Sequence, residues 1–179
     1  MAPDCPYTQE PPQLAVLAPL RVLAVRLHPA ADSNWIEALH GVGVMRPPLP
    51  GTFEGDVVRA VWCGPTEYWL VTQQADLLDA MTRALQPGAA ELICAIDHSA
   101  GTVGFEVQGN DIDRLLARLI DAVAIPARPG QAARVRCADL AVVVLRVHMQ
   151  RAWLLVERPV AHFLLEWLRN ACERVGSRH

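Results

Sequence analysis

The sequence predicts an α+β fold in which ferredoxin-like split βαβ units build an antiparallel sheet with helices packed on one face. Three observations lead there. Residues 61–71, VWCGPTEYWLV, read as two strands joined by a turn, because Gly64-Pro65 punctuates the chain and aromatic and β-branched residues flank it. Residues 110–123 carry Ile112, Leu115, Leu116, Leu119, Ile120 and Val123 at spacings i, i+3, i+4, i+7, i+8 and i+11, an amphipathic helical stripe. Between residues 68 and 147 the elements then follow the order β-α-β-β-α-β, the split βαβ arrangement.

Taken in order, residues 1–13 hold Pro3, Pro6, Pro11 and Pro12 and predict a disordered or extended N-terminal arm. Residues 14–56 form an N-terminal strand and loop region. Within it LRVLAVRL (20–27) is the strand, 34–40 a short helix, and the Pro- and Gly-rich MRPPLPGTFEGD (45–56) a loop. Residues 57–176 make the main α+β domain. Its strands are 56–63, 68–72, 91–97, 102–107, 134–138, 140–147 and 152–157. A helix over 76–86 takes Asp76 as cap and Pro87-Gly88 as stop. Asn110 caps a second helix, which runs to about 122. Pro159 opens a third, whose apolar stripe is Val160, Phe163, Leu164, Trp167, Leu168, Ala171 and Cys172.

Composition excludes several classes of function. The chain has 179 residues, enough for one good-sized domain or two small ones sharing a core. Its formal net charge of −3 gives no electrostatic footprint for nucleic acid or for an anionic membrane. All 16 basic residues are Arg, which rules out a Schiff-base lysine and a phosphate-loop lysine. No signal peptide and no membrane span is read from the N-terminus, and the cysteine usage fits a cytoplasmic protein. Cys5, Cys63, Cys94, Cys137 and Cys172 show no zinc-ligand spacing, and the last four sit in apolar stretches as small hydrophobes. Hydrophobic residues make up 52% of the chain. Two readings of that figure stay open: an Ala- and Val-rich chain from a GC-rich genome, or an apolar surface covered by a partner.

No catalytic, cofactor-binding or metal-binding residue is assigned. Asp97-His98-Ser99 contains the residue types of a triad, but three adjacent residues cannot aim at one another as a triad requires, so a turn is expected. Glu67, in the turn, has no partner carboxylate. The six histidines are scattered without metal spacing, and the glycines at 101, 104 and 109 do not stand between a strand and a helix. Trp167 reads as core from its helical stripe. Trp35 is the better candidate for an interface, together with Pro47, Pro48, Leu49 and Phe53 in the neighbouring loop.

Three segments, WCGPTEYWLV (62–71), IDHSAGTVGFEVQGNDIDRLLARL (96–119) and RAWLLVERPVAHFLLEWL (151–168), carry a resemblance in their order and spacing. Together the chain resembles the gamma subunit of heterotetrameric sarcosine oxidase. The resemblance implies a fold related to the folate-binding glycine-cleavage T-protein domain. It also implies a non-catalytic subunit of a flavoenzyme that oxidatively demethylates sarcosine or a related N-methyl amino acid, with tetrahydrofolate as one-carbon acceptor. The implied partners are an alpha-like subunit binding NAD and folate, a beta-like subunit carrying FAD, and a delta-like subunit containing zinc, with FMN between alpha and beta. No catalytic residue carries over to this chain. The alternative is a free-standing folate-binding or aminomethyltransferase-like module.

Overall fold

A computed structural model describes residues 12–28, 30–85 and 92–176. The expected arm, Cys5 and the Pro87-Gly88 stop lie outside these residues, apart from the last residues of the arm. The chain reads β1 (Gln13–Leu17), β2 (Arg21–Leu27), α1 (Asp32–Gly41), β3 (Phe53–Glu54), β4 (Val58–Gly64), β5 (Glu67–Thr72), α2 (Leu77–Leu85) and β6 (Ile93–Asp97). It continues with β7 (Thr102–Gln108), α3 (Ile112–Leu116), β8 (Ala132–Cys137), β9 (Leu140–His148), β10 (Arg151–Glu157) and α4 (Ala161–Gly176).

The strands make two five-stranded sheets, ordered β3-β4-β5-β2-β6 and β1-β7-β10-β9-β8, and every pairing is antiparallel. In the first sheet β2-α1-β4-β5-α2-β6 is a complete split βαβ unit, with β2 and β5 central and β3 added at the edge. The second sheet repeats that plan from β7, α3, β9, β10 and α4, with β8 at the edge in the place of β3. Its fourth strand comes from the other end of the chain: β1 pairs β7 from Gln13 opposite Gln108 to Leu17 opposite Gly104. The α+β, antiparallel reading of the sequence therefore holds, while the frame of the motif differs. The stretch 68–147 is divided between two sheets, because β5 and β6 close the first unit and β7 opens the second. Residues on both sides of the expected division at 57 share one sheet, since β2 lies between β5 and β6.

Each sheet has one face toward its own helices and one toward the other sheet, giving four layers. Along β10, Ala152, Leu154 and Val156 pack under α3 and α4, while Trp153 and Leu155 meet Val61, Trp69 and Val71 of the first sheet. Along β2, Leu23 and Val25 face the helices α1 and α2, and Val22 faces the second sheet. Strands buried on both faces need apolar residues at almost every position. That requirement accounts for much of the 52% hydrophobic content from within the chain. Gly104 sits where β1 and β10 both pair with β7, and a Cβ there would lie 2.9 Å from a Leu17 methyl and 3.0 Å from one of Leu155.

Two helices differ from expectation. α3 ends at Leu116, far short of residue 122. Beyond it the Leu119 carbonyl accepts from Ala138 N–H, Ile120 bridges Cys137, and a 3₁₀ turn at Ala122–Ala124 follows. The edge strand β8 recruits this backbone, and the stripe supplies the core all the same, through Ile112, Leu115, Leu116 and Ile120. On α4 the buried set is Ala161, Leu164, Leu168, Ala171, Cys172 and Val175, so Phe163 and Trp167 face outward. Cys63, Cys137 and Cys172 are buried as expected, whereas Cys94 is exposed on β6. Burial pushes the Cys63 and Cys137 thiols up to about 12.

Candidate functional site

Two connections cross between the sheets at one end of the molecule. Ala18, Pro19 and Leu20 carry the chain from β1 to β2, through a cis peptide at Ala18-Pro19. His98, Ser99, Ala100 and Gly101 carry it back from β6 to β7. Between them lies an open cleft of about 520 Å³, lined by Leu17, Arg21, Asp97, Ser99, Thr102 and Arg158, among others.

The Asp97-His98-Ser99 segment forms the expected turn. Ser99 N–H donates to Asp97 Oδ1 at 2.8 Å, closing a local Asx turn. Ser99 Oγ accepts from Val22 N–H at 3.0 Å and lies 3.4 Å from the Val22 carbonyl, which bonds the turn to β2. Thr102 Oγ1 donates to the His98 carbonyl at 3.0 Å. The His98 ring lies 6.0 Å from Trp69, tilted by 45°. Ser99 thus bonds to the Val22 backbone and to Asp97, not to His98, and no nucleophile–base pair forms there. The hydrogen bonds from the Ser99 side chain and backbone hold the Asp97 carboxyl below the usual carboxylate range.

Arg158, just before α4, donates Nε–H to the Ala100 carbonyl at 2.5 Å and an NH2 hydrogen to Thr102 O at 3.3 Å. It clamps the crossing turn to the start of the last helix. Arg21 stands on the other wall of the cleft, with a long 3.4 Å bond to Leu20 O. Neither arginine was singled out in the sequence. They lie 137 positions apart, and no local pattern marks two side chains that only a sheet crossing brings together. Arg21, Arg158 and Asp97 make the cleft polar, able to hold a small polar group but without a general acid–base pair.

Glu67 keeps its place beside the β4–β5 turn. It makes a partly exposed ion pair with Arg134 of β8, at 3.4 Å. Among the described residues, no group of three or more His, Cys, Asp and Glu side chains could hold a metal ion. No helix among them is long and apolar enough to cross a membrane.

The interface candidates divide. Trp35 is only 2% exposed and packs 5.2 Å from the Tyr68 ring, and Pro48 and Phe53 are also buried. Helix α1 turns Trp35 inward onto β5, so the expected arm-side contact is instead a core residue. Pro47 is half-buried, and with Trp35, Pro65 and Tyr68 it edges a groove of about 320 Å³. Leu49 stands out at 68% exposure. Trp167, read from its stripe as core, is 52% exposed, and Phe163 one turn earlier is 49% exposed.

No protein-family model and no curated protein matches this chain. Solved structures do. A chain of heterotetrameric sarcosine oxidase from Corynebacterium sp. U-96, solved in complex with pyrrole 2-carboxylate, superposes with a TM-score of 0.80 at 23% identity. That match covers 94% of this chain and 87% of the other. The glycine cleavage system aminomethyltransferase T from Bartonella henselae matches with a TM-score of 0.63 at 15% identity, over 90% of this chain. This chain spans only 46% of that enzyme. Over nearly its whole length, the chain has the fold of a heterotetrameric sarcosine oxidase chain, a fold related to that of the glycine-cleavage T-protein.

Proposed function

We propose that the chain is a non-catalytic, gamma-type subunit of a sarcosine-oxidase-like heterotetramer. The observation that carries the proposal is the extent of the match. It accounts for most of both chains in the oxidase, but for less than half of the aminomethyltransferase. The cleft chemistry supports it: the triad-like residues Asp97, His98 and Ser99 are spent on a turn. In this reading FAD, FMN, NAD, tetrahydrofolate and zinc belong to alpha-, beta- and delta-like partners, and the complex works in the cytoplasm on sarcosine or a related N-methyl amino acid. The exposed Leu49 and half-buried Pro47 mark the loop that meets a partner. A buried obligate contact of that kind covers more than about 2,000 Å² in total.

The test is co-expression with alpha-, beta- and delta-like oxidase chains. The proposal expects co-purification at fixed stoichiometry, flavin held by the partners, and loss of retention in Leu49→Asp with the fold intact. A chain that ignores those partners and binds tetrahydrofolate alone would replace this reading with the free-standing folate module.

A further inference from the structure

A second cleft opens between the two sheets at the start of β4 and the β9–β10 turn. Its volume is about 290 Å³, and Arg59, Gln108, His148, Gln150, Arg151 and Trp153 line it. Arg59 belongs to the inter-sheet face of β4, in line with Val61. Its guanidinium carbon lies 4.2 Å from the centroid of the Trp153 ring, a cation–π arrangement. Nε of Arg59 is buried and has no hydrogen-bond partner. The carboxylate that could have served it is already engaged. Glu106 Oε2 accepts from Trp153 Nε1 at 2.8 Å and lies 3.7 Å from Arg151 Nε. Arg151 in turn donates to Gln108 Oε1 at 3.2 Å. Among the described residues, no carboxylate lies within 4.0 Å of Arg59.

Burial lowers the pKa of Arg59, and Arg151 adds repulsion, while Asp56 and Glu106 act on it through space in the opposite sense. Two arginines therefore converge on one cleft, and the more buried of them lacks an ion pair. Leaving a guanidinium half-desolvated without a counter-charge costs free energy, and such groups concentrate where a ligand supplies the missing charge. Guanidinium edges match a planar oxyanion. With Asp56 and Glu106 nearby, the field favours a monoanion over a dianion. The volume is at the small end for ligand pockets and suits a molecule of roughly amino-acid size.

We infer that the Arg59–Arg151 cleft binds the carboxylate of a small molecule, held by the two guanidinium groups against the Trp153 wall. This site is separate from the Asp97 crossing and does not depend on the subunit reading. The test is titration of the full chain with sodium acetate, followed by the Trp153 indole N–H resonance and the thermal midpoint. Saturable binding with a Kd on the order of 1 mM is expected. Arg59→Gln should weaken it at least about tenfold, and Arg151→Gln at least about threefold, whereas Arg118→Gln, on the far side of the second sheet, should leave it unchanged. Because the Arg151 side chain is about half exposed, that variant decides the matter if Arg59→Gln does not fold. Absence of saturation, or equal binding in Arg151→Gln, would overturn the site. Tighter binding of inorganic phosphate than of acetate would overturn the carboxylate assignment. Loss of acetate binding on assembly with a partner chain would overturn a small-molecule source, because a partner's side chain would then fill the cleft.

Discussion

Trp35 and Trp167 differ in what surrounds them, not in chemistry. Trp35 is enclosed by α1, β5 and the loop before β3, so Trp35→Ala removes a buried indole and leaves a cavity. A loss of about 3–5 kcal/mol in chemical denaturation is expected. Trp167 is half in solvent on α4, and Trp167→Ala should stay within about 1 kcal/mol in the same measurement. Asp97 provides a test in pH. Its carboxyl is held down in the folded chain by the Ser99 bonds, so its stabilisation is present above the unfolded value of about 3.9. That contribution is lost as pH falls through the lower folded value. Asp97→Ala should therefore lower the Tm at pH 7 by no more than about 2 °C, since the group is exposed. The gap between variant and parent should close at acid pH. A gap that persists unchanged below the carboxylate range would refute the linkage.

At the scale of elements, one buried cation holds α3 to the β9–β10 hairpin. Arg146 is fully buried, and its NH1 meets Asp113 Oδ1 at 2.6 Å. Its Nε–H donates to the His148 carbonyl at 3.0 Å, and NH2 donates to Met149 O. One guanidinium thus ties the short helix to the turn that joins two central strands. Removing the counter-charge leaves a buried, underpaired cation, which is costly. Asp113 itself is 67% exposed, so solvent screens its side of the pair, and Asp113→Ala should destabilise by about 1–2 kcal/mol in denaturant unfolding. A change under about 0.5 kcal/mol would mean that the two carbonyls suffice. The brevity of α3 has the same origin as this tie: long-range partners in β8 and β9 claim the backbone and side chains that a longer helix would have used.

For the whole molecule, the layer between the sheets is the decisive feature. It contains Val22, Val61, Trp69 and Val71 from one sheet and Leu145, Trp153 and Leu155 from the other, and Leu17 of β1 joins them. β1 belongs to the second sheet and is joined directly to β2 of the first, so the second sheet is completed only by a strand from the other side of the first unit, β2 to β6. Unfolding should accordingly be one cooperative step, with coincident tryptophan-fluorescence and far-ultraviolet transitions. Two separated transitions would show that the units hold independently.

The sequence alone determined most of the local structure. Runs rich in apolar, aromatic and β-branched residues placed β2, β4, β5, β7, β9 and β10 within a residue or two of their bounds, and the Gly-Pro turn placed the β4–β5 hairpin. The Asp97-to-Ser99 turn was legible because an Asx turn is made by neighbours in the chain. Tertiary structure decided what depends on distant partners. It decided the frame of the repeat, because β1 is short, it begins at Gln13, the last residue of the Pro-rich arm, and its identity as a strand comes from pairing with β7, about 90 residues away. It decided which tryptophan is buried, because a helical stripe fixes a face only to within one row of side chains, and the sheet beneath selects the row. It also decided both clefts, since Arg21 with Arg158, and Arg59 with Arg151, meet only where one sheet crosses or covers the other.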